Sequence, residues 1–277
     1  MSLKAALGGR TIALLSLTLI IVAADGAAQG RRGGRFAMPQ VPPNPAYDGG
    51  FQFCRIMFRN SGYGDGSGWY VDYPRADINL SYRLSELTTL PVSRSVTGDY
   101  EHILLRLTDN ELFKCPFIMM TEPGGAYIDD AEASRLRDYL LKGGFLWADD
   151  FWGEYAWNAW VAELRKALPS GQYPIRDLEL DHPIFHVLYE VRDLPQIPSI
   201  NFWLGSGGGT SERYGDSSVP HARAITDADG RMIVLMTHNT DFGDAFERET
   251  DDREYFNRFA SKGYAFGINV VVYALTH

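Results

Sequence analysis

The sequence predicts an α/β chain with a mainly parallel sheet covered by helices on both faces, and three observations carry that expectation. Apolar, strand-like runs recur near residues 53–58, 116–121, 145–148 and 232–237. Helical patterns stand between several of them, and strands alternating with helices favour a parallel sheet. Beyond residue 50 a little over 200 residues remain, enough for one α/β domain with a large core and short of what two ordinary domains need.

The elements follow in order. Cys54-Arg55-Ile56-Met57-Phe58 and Cys115-Pro116-Phe117-Ile118-Met119-Met120 read as the first two strands. A helix is predicted over 130–142: Asp129 or Asp130 caps it, Leu136, Tyr139 and Leu140 share one face, and Gly143 supplies a left-handed stop. The buried strand Phe145-Leu146-Trp147-Ala148 comes next and ends in Asp149-Asp150. A second helix spans Tyr155 to Leu168 and is ended by Pro169-Ser170-Gly171. Met232-Ile233-Val234-Leu235-Met236-Thr237 is a further strand, and the apolar segment from Tyr264 to Leu275 reads as a closing helix by its length.

At the N-terminus, Lys4 and Arg10 precede an apolar run from Thr11 to Ala24 and small residues through Ala28, the three-part pattern of a secretory signal peptide over residues 1–28. The run falls short of the roughly 20 apolar residues of a spanning helix, so cleavage and export to the periplasm, with no remaining membrane span, are expected. Residues 29–50 are rich in Gly, Arg and Pro and read as a flexible tether that buries nothing. Residues 51–277 then form a single α/β domain. The formal charge of −9 and the lack of a basic cluster interleaved with aromatics exclude nucleic acid as a partner. Two cysteines, Cys54 and Cys115, begin apolar runs; buried free thiols are expected, because a bridge across a parallel ladder is geometrically awkward.

In open parallel sheets, ligands bind outside the carboxyl ends of the strands. Four polar clusters occupy strand ends or turns: Asp72 with Asp77 and Asn79; Glu122-Pro123-Gly124-Gly125; Asp149-Asp150 with Trp152 and Glu154; and His238-Asn239-Thr240-Asp241 with Asp244 and Glu247. The ligand-binding candidates are Asp72, Glu122, Asp149, Asp150, Trp152, His238, Asn239 and Asp241. Of these, Asp149, Asp150 and Asp241 are the candidate ligands of a divalent metal, and Asp150 and His238 are the candidates for proton transfer. Trp147, Trp152, Trp157 and Trp160 offer a sugar-stacking platform, although the spacing of Trp157 and Trp160 also suits a core. His182, before Pro183, has a turn context and reads as structural.

Two glycine-rich loops stand out, Gly62 to Gly68 and Gly205 to Thr210. The first lacks the Gly-Lys-Ser/Thr ending of a phosphate loop and reads as a mobile surface loop; the second suits a lid or a disordered segment. Neither cysteine lies in a nucleophile elbow, and Gly-x-Ser-x-Gly and His-Glu-x-x-His motifs are lacking.

Taken together, several segments carry a resemblance: Trp69-Tyr70-Val71-Asp72-Tyr73-Pro74-Arg75-Ala76-Asp77-Ile78-Asn79-Leu80, Gly143 to Gly153, His182-Pro183-Ile184-Phe185, Asn239-Thr240-Asp241-Phe242-Gly243-Asp244, and Gly267 to His277. In this order they resemble a bacterial domain-of-unknown-function family, number forty-one fifty-nine. That family looks like a member of the class I glutamine-amidotransferase-like superfamily, close to its trehalose-utilisation type. The resemblance implies a flavodoxin-like, doubly wound sheet. It carries over no catalytic residue, and the elbow cysteine of the amidotransferase branch is not matched here.

Three functions fit these readings. The leading one is a non-catalytic or weakly catalytic exported domain that binds a polar, carbohydrate-like ligand or an envelope protein in the strand-end crevice. The second is a metal-assisted hydrolase in which Asp149, Asp150 and Asp241 hold the cation and His238 moves a proton. The third is a structural partner of a membrane complex.

Overall fold

The computed structural model describes residues 41–277. In chain order the elements are β1 (Phe53–Ile56), β2 (Arg59–Asn60), α1 (Arg75–Leu87), β3 (His102–Leu105), β4 (Phe117–Thr121), β5 (Ala126–Tyr127), α2 (Asp130–Leu141), β6 (Phe145–Asp149), α3 (Gly153–Ala167), β7 (Arg176–Asp177), α4 (Ile200–Gly205), β8 (His221–Thr226), β9 (Met232–His238), α5 (Phe242–Glu247) and α6 (Arg253–Tyr255), followed by a π-helical turn, Phe256–Ala260, and α7 (Ser261–Thr276). Seven strands form one sheet in the order β3-β1-β4-β6-β9-β8-β7. The pairs from β3 to β9 are parallel; β8 and β7 add antiparallel edges. From β1 the chain crosses to β3 on one side and afterwards to β4 and β6 on the other, so the winding direction reverses beside β1.

Alternation along each strand divides the interior in two. Phe53, Phe117, Phe145, Trp147 and Leu235 face one apolar cluster, which α1, α5 and α7 cover with Leu80, Phe246 and Phe266. Ile56, Ile118, Leu146, Ala148 and Met236 face the other, covered by α2 and α3 through Leu136, Trp160 and Leu164. Both faces of the central strands are therefore dry, which explains why their sequences run apolar without a polar alternate.

The four central strands and three long helices lie where the sequence places them. Asp129 is the cap of α2, within a full capping box with Glu132, and Gly143 takes φ +111° at its stop. The expected signal peptide and residues 29–40 of the expected tether lie outside the described residues. Residues 41–48 carry no regular element, yet they are not free of the domain. The Asn44 amide donates to Leu104 O at 2.7 Å and accepts from Leu104 N at 2.9 Å, which occupies the outer edge of β3 as a neighbouring strand would. Among the described residues, no helix is long and apolar enough to cross a membrane.

The expectation of free thiols is corrected: Cys54 and Cys115 form a disulfide, with Cα atoms 6.3 Å apart. The objection to a bridge assumed that both residues sat in one parallel ladder. Arg55 pairs with Met119, so Cys115 stands ahead of β4 and outside the ladder, where its backbone is free to turn its side chain towards Cys54. The bridge closes a loop with a sequence separation of 61. Reduction, or Cys54→Ser with Cys115→Ser, is expected to lower the unfolding free energy by about 4 kcal/mol, the chain-entropy value for a loop of this length. Urea titration with and without reductant measures this, and an unchanged midpoint would mean that the bridge does not form in solution.

Candidate functional site

Each central parallel strand delivers an acidic residue at its carboxyl end or in the segment that follows: Asp72 after β1, Glu122 after β4, Asp150 after β6 and Asp241 after β9. Among the described residues only five non-glycine residues have positive φ, and four are strand-end candidates: Asp72 (62°), Glu122 (50°), Asp150 (58°) and Asn239 (61°). The left-handed region is costly for residues with a Cβ, and such outliers gather at functional sites. Here the kink after each strand turns the next side chain across the end of the sheet.

Asp72, Asp150 and Asp241 meet there. One carboxylate oxygen from each lies within 4.8 Å of the others, and the residues are 7%, 5% and 3% exposed. Asp150 Oδ1 accepts from Trp152 Nε1 at 2.9 Å, and Asp241 Oδ1 accepts from Asp244 N at 2.7 Å as the cap of α5. Asp72 Oδ2 is buried without a hydrogen-bond partner. Burial first, and then the neighbouring carboxylates, push all three well above the ordinary carboxylate range. Burial also raises Glu122 to about 7 and Asp244 to about 6.

The framework behind these groups is polar and fully buried. Arg55, on β1, donates to Asp77 of α1, to Thr121 Oγ1 of β4, and to the carbonyls of Trp69 and Val71, which fixes the segment leading into Asp72. Asp149 accepts from Phe242 N at 2.8 Å, from Gly243 N at 3.1 Å and from Thr237 Oγ1, which ties β6 to the start of α5. A Cβ at Gly243 would overlap Asp72 Oδ2, so glycine is what lets that carboxylate approach α5.

The structure divides the sequence candidates. Asp72, Asp150 and Asp241 converge, with Glu122 beside them and Trp152 bonded to Asp150. Asp149 is not a free ligand, because both its oxygens serve the framework; burial raises it to about 7. His238 turns to the opposite face, stacked on Phe151 and packed against Trp157. Its Nε2 donates to Gly153 O and its Nδ1 accepts from Arg223, and burial lowers it to about 4. Asn239 accepts from Gly153 N and donates to Val219 O, a loop brace. Trp147 and Trp160 are wholly buried, Trp152 nearly so, and Trp157 lies under Arg223, so the four tryptophans make no open stacking platform. His182 accepts from Ile184 N in its own turn. Sequence reasoning missed Arg55 and Gly243. A charged residue inside the apolar run Cys54-Arg55-Ile56 was the available sign of the first.

Side chains join the first glycine-rich loop to the segment just beyond the second. Ser67 N and Gly68 N donate to Glu122 Oε2, so the amide cradle of the first loop holds the protein's own carboxylate. Asp65 of that loop bonds Arg213, just beyond the second loop, with Nε 2.9 Å away. Glu122 N also donates to Asp149 O at 2.9 Å, which sets the first loop beside the Asp149-Asp150 end of β6.

Two predictions follow from this geometry. Gly243→Ala should cost about 1–3 kcal/mol of stability by displacing Asp72, measured by urea unfolding, with Ala245→Gly on the same helix as a comparison that brings no such overlap. Carboxyls raised in the folded state contribute stability that is complete below about pH 4 and is lost as pH rises through 6 and 7. His238 acts in the opposite sense, losing stability as pH falls from its ordinary value towards 4. Above pH 6.5 the carboxyls govern, so in EDTA the protein should lose stability between pH 6.5 and 8, and Glu122→Gln, which removes a group raised to about 7, should lessen that loss.

No curated protein matches the chain. The family model described as Domain of unknown function (DUF4159) matches residues 58–275, a span that holds every candidate from Asp72 to Asp241. With most of its length covered, the chain belongs to the DUF4159 family of domains of unknown function.

Proposed function

We propose that this protein is an exported binding domain whose ligand is a small, polar, hydroxyl-rich molecule. The ligand enters the crevice at the carboxyl ends of β1, β4, β6 and β9, beside the joined glycine-rich loops. The observation that carries the reading is the convergence of Asp72, from the segment leading into α1, with Asp150 and Asp241, from just beyond β6 and β9, two of the three on left-handed backbone. A framework that spends this much strain to bury acceptors together is suited to a ligand rich in donors.

The reversal of winding beside β1 supports the flavodoxin-like, doubly wound assignment and a place near the class I glutamine-amidotransferase-like superfamily. The chemistry of that superfamily's amidotransferase branch does not transfer, since both sulfurs are joined in the disulfide and neither is available as a nucleophile. Export is supported by the leader pattern of residues 1–28 together with the disulfide, which persists in oxidising compartments. The buried tryptophans remove stacking from the carbohydrate reading and leave hydrogen bonding to the carboxyls as its basis.

A thermal-shift panel of chitobiose, maltotriose, trehalose and tri-galacturonate tests the proposal. A ligand at a hundred times its dissociation constant should stabilise the wild type by about 2.7 kcal/mol, and the shift should vanish in Asp241→Asn. Absence of any shift would refute the small-ligand reading in favour of an envelope protein as partner.

A further inference from the structure

The geometry points to a site for one hard divalent cation held by Asp72, Asp150 and Asp241, a set that differs from the sequence candidates by Asp72 in place of Asp149. This inference rests on the crevice proposed above and names what its ligand meets first.

Oxygens bound to one cation at 2.0–2.6 Å lie no more than about 5 Å apart, and one oxygen from each of the three carboxylates falls within 4.8 Å of the others. Asp72 supplies a separate observation. Its Oδ2 is buried and unpartnered, on a residue 7% exposed, and a buried carboxylate without a donor or cation is among the least tolerable groups in a folded protein. Asp150 and Asp241 each commit Oδ1 to a donor, and among the described residues the other oxygen of each accepts no hydrogen bond. Nor is any of the three in an ion pair. Arg55 is engaged by Asp77 and Arg213 by Asp65.

A second carboxylate group, Asp72 with Asp244 and Glu247, makes a useful contrast. Arg248 lies 2.8 Å from Glu247 and 3.6 Å from Asp244, and Asp244 Oδ2 accepts from Ile200 N and Tyr255 Oη. That group carries its own cation, and Asp244 has spent one oxygen on two donors. The unmatched charge lies on the side of Asp150 and Asp241. An all-oxygen set without His or Cys selects Ca²⁺, Mg²⁺ or Mn²⁺ over Zn²⁺ or Cu²⁺. Three protein ligands leave coordination positions for water or for hydroxyl or carboxylate oxygens of the crevice ligand.

The test is titration of the EDTA-stripped and dialysed protein with CaCl₂, MgCl₂, MnCl₂ and ZnCl₂ at pH 7.5, by calorimetry and thermal unfolding, with uptake on the wild type confirmed by equilibrium dialysis. The expected result is one hard cation per chain, a rise in Tm with that cation, and at least a tenfold loss of affinity in Asp72→Asn and in Asp241→Asn. Relieved of like-charge repulsion, both variants should melt in EDTA no lower than the wild type, which separates loss of the site from loss of the fold. No uptake by the wild type, or undiminished uptake by Asp72→Asn and Asp241→Asn, overturns the inference. Saccharide shifts are measured in parallel. Shifts without cation uptake overturn the cation and leave the crevice, whereas uptake without any saccharide shift supports the cation and overturns the small-ligand reading.

Discussion

A buried guanidinium sets the terms for the rest of the molecule. Arg55 lies in the middle of β1 with no solvent exposure, and a charge in that position is tolerable only when it is paired and its donors are filled. Its four partners come from three places: Asp77 on α1, Thr121 on β4, and the carbonyls of Trp69 and Val71 in the connection between β1 and α1. Sheet, helix and connection must therefore assemble together, because leaving one partner out strands a charge at a cost of about 3–5 kcal/mol. The same bonds hold the backbone just before Asp72. One electrostatic requirement in the core thus fixes the backbone that carries Asp72 into the carboxylate cluster.

Asp149 does for β6 and α5 what Arg55 does for β1 and α1, and its contrast with Asp150 shows how one residue of offset decides a role. Asp149 ends the strand in extended conformation and finds two amides and a hydroxyl. Asp150 follows in the left-handed region, turns the other way, and retains only the Trp152 indole as a donor. Two identical side chains thus become a brace and an open acceptor. Asp241 sits between these cases, with one oxygen spent as the cap of α5 and its position set by the helix start that Asp149 holds.

What the sequence disclosed follows from the same physics. The runs at 53–58, 116–121, 145–148 and 232–237 were legible because strands dry on both faces must be apolar throughout. The edge strand His102–Leu105 is short and is flanked by polar residues, Arg176–Asp177 is only two residues long, and His221–Thr226 alternates on an antiparallel edge; none carries that signal. Arg75–Leu87 escaped because its buried face includes the polar residues Asp77 and Ser81, the first of them paired with Arg55 on β1, so the apolar stripe of a helix is interrupted. For the site, the strand-end rule located Asp72, Glu122, Asp150 and Asp241, since position along a strand is a one-dimensional property. It failed to separate Asp149 and His238 from them, because which face a strand-end side chain takes depends on the backbone kink after it. The disulfide was misread for a related reason: the objection to it supposed one parallel ladder holding both cysteines, and the register that leaves Cys115 outside that ladder is not a local property of either run.

The joined glycine-rich loops complete the argument about access. Their internal anchors are strong: Glu122 fills the amide cradle of the first loop, and Gly64, at φ +107°, lets the chain pass against Gly124 O where a Cβ would overlap it. The bond between the loops differs in kind. Arg213 and Asp65 have side chains 45% and 33% exposed, and ion pairs in that setting contribute about 0–1 kcal/mol, less in salt. Separating the loops therefore costs little, whereas unseating the first from its base means stripping the Glu122 carboxylate of two amide donors. On the binding reading proposed above, a ligand would enter by parting this exposed ion pair, which leaves the left-handed residues Asp72, Glu122 and Asp150 in place.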